Sequence, residues 1–155
     1  MQFKKNLFLK FIWTVLVALG FAGCAATIST KEAISTKAAP TVLGPYSQAI
    51  SFGNLVFLSG QIPIDPKTNQ MQIGSIEDQT KLVLENLKAI LAVKGMTMDN
   101  IVSTTVYLKD LNHFARMNAV YGTYFTKEIA PARATVQVAD LPRDALIEIS
   151  AIAGK

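Results

Sequence analysis

The sequence predicts an α+β domain: a mixed β-sheet with two helices packed on one of its faces. Short β-branched or aromatic runs bounded by turn residues supply the strands, and two segments with apolar residues at helical spacing supply the helices. Each helical segment lies between strands, which requires crossover connections and so a sheet that is not purely antiparallel. The 155 residues are 50% hydrophobic and 17% charged, enough apolar material for one core.

The elements follow in chain order. Ala49-Ile50-Ser51-Phe52 and Leu55 to Ser59 flank Gly53-Asn54, a two-residue turn tolerant of positive φ, and form a hairpin. Gln61 to Ile73 carries Pro63, Asp65, Pro66 and Asn69, so it reads as a loop. Ser75, with Asp78 three positions on, caps a helix of about five turns. Its apolar stripe runs through Leu84, Leu87, Ile90 and Leu91 and stops at Gly95. Ile101 to Leu108 is a strand with Val102, Val106 and Leu108 on one parity, and Asp110-Leu111-Asn112 offers turn and cap chemistry. Phe114, Met117, Tyr121, Tyr124 and Phe125 mark a second helix, ended by Pro131. Thr135 to Ala139, the Leu141-Pro142-Arg143-Asp144 turn and a strand from Leu146 to Ala153 complete the order. Helices on one face leave the other bare, and its apolar residues point to self-association.

Composition closes several function classes. One cysteine excludes a disulfide framework and a Cys-rich zinc site, and one histidine excludes most catalytic triads. The net charge of +4 raises a nucleic-acid reading, but the charge is concentrated at the N-terminus. Lys4, Lys5 and Lys10 precede the uncharged, mostly apolar stretch from Phe11 to Ala26, the pattern of a bacterial export signal. Cys24 follows Phe21-Ala22-Gly23, which resembles the lipobox of bacterial lipoproteins with phenylalanine where leucine is usual. The organisation expected is therefore residues 1–23 as a lipoprotein-type signal, 24–32 as a short linker and 33–155 as the domain. It places the protein in the cell envelope, attached to a membrane through lipidated Cys24. Without residues 1–23 the chain keeps 12 basic and 11 acidic residues, so its charge is +1 and no nucleic-acid partner is expected.

A few residues have chemistry that packing alone does not require. Arg133 stands at the entry of the Thr135 strand, where it can grip a carboxylate with two parallel hydrogen bonds or serve as an ion-pair partner. Glu148 interrupts the apolar run Leu146 to Ile149; burial there raises its pKa and suits it to proton transfer, whereas alternation can equally turn it outward. Ser59-Gly60-Gln61 ends a hairpin strand and can face a ligand, and Tyr46 can project into a cleft or cap the core. Asn118 breaks an apolar helical stripe, and His113 reads as an exposed first-turn residue.

In combination these residues form a pattern. The succession Gly44-Pro45-Tyr46-Ser47-Gln48-Ala49, Ser59-Gly60-Gln61-Ile62-Pro63, Asp110-Leu111 through Met117-Asn118, Pro131-Ala132-Arg133, and Leu141-Pro142 through Glu148-Ile149 resembles the YjgF/RidA family over about residues 33–153. The resemblance implies a chorismate-mutase-like α+β fold assembled as a homotrimer with clefts between subunits. It also implies an imine hydrolase that converts 2-imino acids and enamines, of the 2-iminobutanoate and 2-iminopropanoate type, to 2-keto acids and ammonia. By the matching motifs, Arg133 holds the substrate carboxylate, Glu148 orients or activates the water, and Tyr46, Ser59 and Asn118 line the cleft. No metal or organic cofactor is implied. Thr135 stands where some members carry a cysteine, so no thiol is expected there. The alternative is a trimer, anchored in the envelope, that binds small carboxylates without catalysis.

Overall fold

The computed structural model describes residues 30–155; the segment read as an export signal, Cys24 and most of the segment read as a linker lie outside the described residues. Six strands form one sheet: β1 (Lys31–Ile34), β2 (Ala49–Phe52), β3 (Leu55–Gln61), β4 (Ile101–Leu108), β5 (Ala132–Gln137) and β6 (Ile147–Gly154). Helix α1 (Ile76–Ala92) links β3 to β4, and α2 (Phe114–Gly122) links β4 to β5. The sheet order is β1-β2-β3-β6-β4-β5, antiparallel throughout except between β4 and β5. Strand β6 thus stands between the two halves of the chain.

Local chemistry explains most boundaries. Gly53 adopts φ 59° in the hairpin turn, and Gly95 adopts φ 64° just past α1. The Ser75 hydroxyl accepts from the Asp78 amide at 3.2 Å while the Asp78 carboxylate accepts from the Ser75 amide at 3.4 Å, a reciprocal cap that starts α1. Val83, Leu84, Leu87, Ile90 and Leu91 then lie fully buried against Ile147, Ile149, Val106 and Leu108 of the sheet. Each such side chain contributes about 1.5–3 kcal/mol by leaving water.

The structure revises several expectations. Strand β1 begins at Lys31, inside the segment read as linker; its four residues Lys-Glu-Ala-Ile are too short and too charged for a periodic signal. In β4, Val102 is half exposed and Ile101 buried, because the β4–β6 register shifts between Ile101 and Ser103 and turns Val102 away from the helices. Helix α2 stops at Gly122, so Tyr124 and Phe125 pack on the core from beyond its end while Phe114 stays exposed. Strand β5 starts at Ala132, which puts Arg133 within the strand and not at its entry.

The face of the sheet away from the helices carries Phe52, Leu55, Phe57 and Val136, each at least 40% exposed. Phe52 pairs with Leu55 across β2 and β3, while Val136 pairs with Tyr107 at the opposite edge of the sheet. The bare apolar face is therefore present as expected.

Candidate active site

The five expected site residues fall into two groups. Tyr46, Ser59 and Glu148 line a cleft of about 450 Å³ together with Gly60, Leu43 and Pro142. Arg133 and Asn118 meet elsewhere, where the Arg133 Nη1 donates to the Asn118 Oδ1 at 2.8 Å.

The sheet register separates the groups. Thr104 pairs with Arg133, and Tyr107 pairs with Glu148. Residues 104 and 107 have opposite parity, so Arg133 points to the helix side and Glu148 to the bare side. A small substrate cannot touch both in one chain.

Arg133 is braced. Its guanidinium carbon lies 4.5 Å from the centroid of the Tyr121 ring and 5.7 Å from that of Phe114. Tyr121 is itself anchored, its hydroxyl 2.8 Å from that of buried Thr104, and burial pushes its pKa up. Among the described residues no carboxylate lies within ion-pair distance of Arg133, so the ion-pair alternative is not realised in the chain. Aromatic faces and an amide fix the guanidinium while leaving N–H donors uncommitted, the arrangement that grips a carboxylate. Beside it on the strand, the Thr135 Oγ1 is buried without a partner among the described residues. His113 is half-buried, with Nδ1 enclosed and unpartnered among the described residues, and is not the exposed residue expected.

The cleft on the other side is built from loops tied to β3. The Ser59 hydroxyl donates to the Ser47 carbonyl at 2.7 Å, so it holds the segment before β2 in place as well as lining the cleft. Half-exposed Tyr46 accepts the Leu43 amide on its phenol oxygen at 3.2 Å, which turns its ring along the cleft wall. Gln48 had no role assigned from the sequence. Its buried amide accepts from the Thr36 N–H and donates to the Thr36 and Pro40 carbonyls, holding up the 36–40 segment behind that wall. The signal available was an amide between a turn and a strand, too common to single out.

The rim residue Pro142 opens a turn in which Arg143 and Asp144 both have positive φ, at 57° and 58°. Such a pair costs about 1–3 kcal/mol per residue and persists only under outside support. Lys109 supplies it, bridging Asp144 at 2.8 Å and Asp140 at 3.2 Å.

Glu148 is half-buried, and desolvation raises its pKa. Because the folded value exceeds the unfolded one, the fold prefers the protonated carboxyl. That stabilisation is complete below the unfolded pKa and is lost as pH rises through the folded one. Glu148→Gln, uncharged and of equal shape, is therefore expected to melt at a higher temperature than wild type at pH 7. The gap should close below about pH 4, where wild type is also neutral. Thermal melts at the two pH values check this; a less stable variant at pH 7 contradicts it.

Comparison with known proteins identifies the family and the fold. The family described as Endoribonuclease L-PSP, the YjgF/RidA family, matches residues 36–155. The chain belongs to this family. Among its YjgF/RidA relatives, a RutC family protein of Pyrococcus horikoshii is 57% identical over 125 residues, covering 81% of this chain and 98% of that protein. An Escherichia coli protein named 2-iminobutanoate/2-iminopropanoate deaminase is 46% identical over 124 residues, covering 79% of this chain and 96% of its own. The crystal structure of Escherichia coli TdcF with bound serine superposes with a TM-score of 0.76 at 43% identity, covering 80% of this chain and 98% of that one. The six-stranded sheet with two helices is thus the YjgF/RidA fold.

Proposed function

We propose that the protein hydrolyses 2-imino acids to 2-keto acids and ammonia in clefts shared between copies of itself. The observation that carries this reading is Arg133: a guanidinium held on two aromatic rings and an amide, with no carboxylate among the described residues to neutralise it. A substrate carboxylate satisfies it. The second group needed, a carboxyl whose pKa is raised by burial, is Glu148 on the opposite face. Assembly through the bare apolar face brings the Glu148 cleft of one copy to the Arg133 of the next, and a closed ring such as a trimer satisfies every copy equally. The deaminase name of the Escherichia coli relative supports the same substrate class.

The chemistry asks for little. Ionised Glu148 takes a proton from water as the oxygen adds to the carbon of the protonated imine, giving a neutral carbinolamine. The protonated carboxyl then hands that proton to the amine nitrogen. As the C–N bond breaks, the carbinolamine hydroxyl forms the ketone and gives its proton to Glu148, which passes it to the departing ammonia, so ammonium leaves and the carboxylate is restored. Positioned proton transfer of this kind contributes about 10²–10⁴-fold, and Arg133 adds orientation through the carboxylate.

A ribonuclease reading, which the family's description invites, has less support. Residues 24–155 carry a net charge of only +1, with no run of Lys or Arg interleaved with aromatics to track a phosphate backbone. The test of the proposal is ammonia release from 2-iminopropanoate generated in the assay. Wild-type protein should accelerate it; binding of 2-keto acids through Arg133 without acceleration makes the protein a carboxylate-binding module instead.

A further inference from the structure

Gly60 has no conformational reason to be glycine. The glycines with positive φ are Gly53 and Gly95, so position 60 has a backbone that any residue adopts. What stands in the way of a side chain is one group: a Cβ on Gly60 would lie 2.7 Å from the Glu148 Cδ, 3.1 Å from its Cγ and closer still to Oε1. All three atoms belong to the carboxyl end of Glu148. The β3–β6 register shifts between Leu58 and Gln61, which takes Ser59 and Gly60 out of regular pairing just where β6 delivers that carboxyl.

We propose that Gly60 is a positioning residue for Glu148, its missing side chain forming the slot that holds the carboxyl against the wall of the cleft. The slot explains two features together. It lets a half-buried carboxyl lie on bare backbone at the cleft, and it keeps the side chain from swinging along the open face. The consequence for turnover rests on the function proposed above; the slot itself is a property of the fold.

The residue that obstructs a Cβ is the free end of a side chain and not backbone, so Gly60→Ala should expel the Glu148 carboxyl while leaving the sheet intact. Three measurements on the purified oligomer test this. In wild type, the Glu148 carboxyl followed by carbon NMR should titrate above the ordinary glutamate range, and in Gly60→Ala it should move back towards it. Turnover of a 2-imino acid should fall at least about tenfold in Gly60→Ala, with 2-keto acid affinity held within about threefold; adding Gly60→Ala to Glu148→Gln should cost less than about twofold more. A loss that multiplies fully in the double variant overturns the proposal.

Melting temperatures provide a check independent of activity. Below about pH 4, where the carboxyl is neutral whether held or expelled, Gly60→Ala should lower the midpoint in the wild-type background relative to its effect in a Glu148→Ala background, where the slot is empty. Equal shifts in both backgrounds assign the glycine to the backbone and overturn the proposal. If wild type hydrolyses no imino acid, the functional reading falls while the titration and the melting cycle still judge the slot.

Discussion

Mixing Arg133→Ala chains with Glu148→Gln chains is expected to restore activity that neither variant shows alone. Arg133 and Glu148 leave the sheet on opposite faces, as their partners Thr104 and Tyr107 on β4 require. A cleft that uses both must draw them from two copies. In a closed ring, each such cleft takes one group from each neighbour, so equal random mixing leaves about a quarter of the clefts with both groups intact. Ammonia release from co-refolded subunits should therefore approach about a quarter of the wild-type rate, against a background near zero for each variant refolded alone. Failure to complement, with mixed oligomers shown to form, places both groups' action within one chain or removes one of them from the reaction.

The two variants are also expected to fail differently. Arg133→Ala removes the guanidinium proposed to hold the carboxylate and so leaves the ligand's charge without that partner. Loss of such a pair costs about 2–5 kcal/mol, or about 30- to several-thousand-fold in affinity. Binding of 2-keto acid and turnover should both collapse, and Arg133→Lys should recover little, because an ammonium cannot stack on Tyr121 and donate in parallel at once. Glu148→Gln keeps volume and polarity. Binding should stay within a few-fold while kcat falls about 10²–10⁴-fold, the usual contribution of a positioned acid–base group. Calorimetry with pyruvate alongside the ammonia assay separates the two cases; equal loss of binding in both variants argues against separate roles.

The fold was legible where a local rule decides the backbone. The Gly53 turn, the Ser75–Asp78 cap and the apolar stripe of α1 each depend on residues within one turn or one helix face. What escaped depends on pairing. Strand β1 exists because Ala33 and Ile34 meet Ile50 and Ala49 across the edge of the sheet, a relation that four residues with two charges do not announce. The inversion at Val102 comes from a shift in register against β6. The site shows the same limit: the motifs carry the residues, but their division between two faces follows from which residues of β4 sit beside Arg133 and Glu148. Gly60 looked like a flexible strand end, since only the spatial approach of β6 shows what its missing side chain makes room for.

The position of β6 has a consequence for the order in which the molecule is made. It is the last strand in sequence, yet it lies between β3 and β4 and carries Glu148. While the chain emerges from the ribosome, the β1–β3 unit and the β4–β5 unit each present an unpaired strand edge, with nothing between them to hydrogen-bond either one. The final strand closes both edges in one step and completes the cleft in the same event. Long-range pairing of this kind is slow to form and leaves open edges exposed to foreign strands until it does. Of the six strands, the one that makes the halves a single sheet is the last to be synthesised, so a nascent chain holds Arg133 well before it holds Glu148.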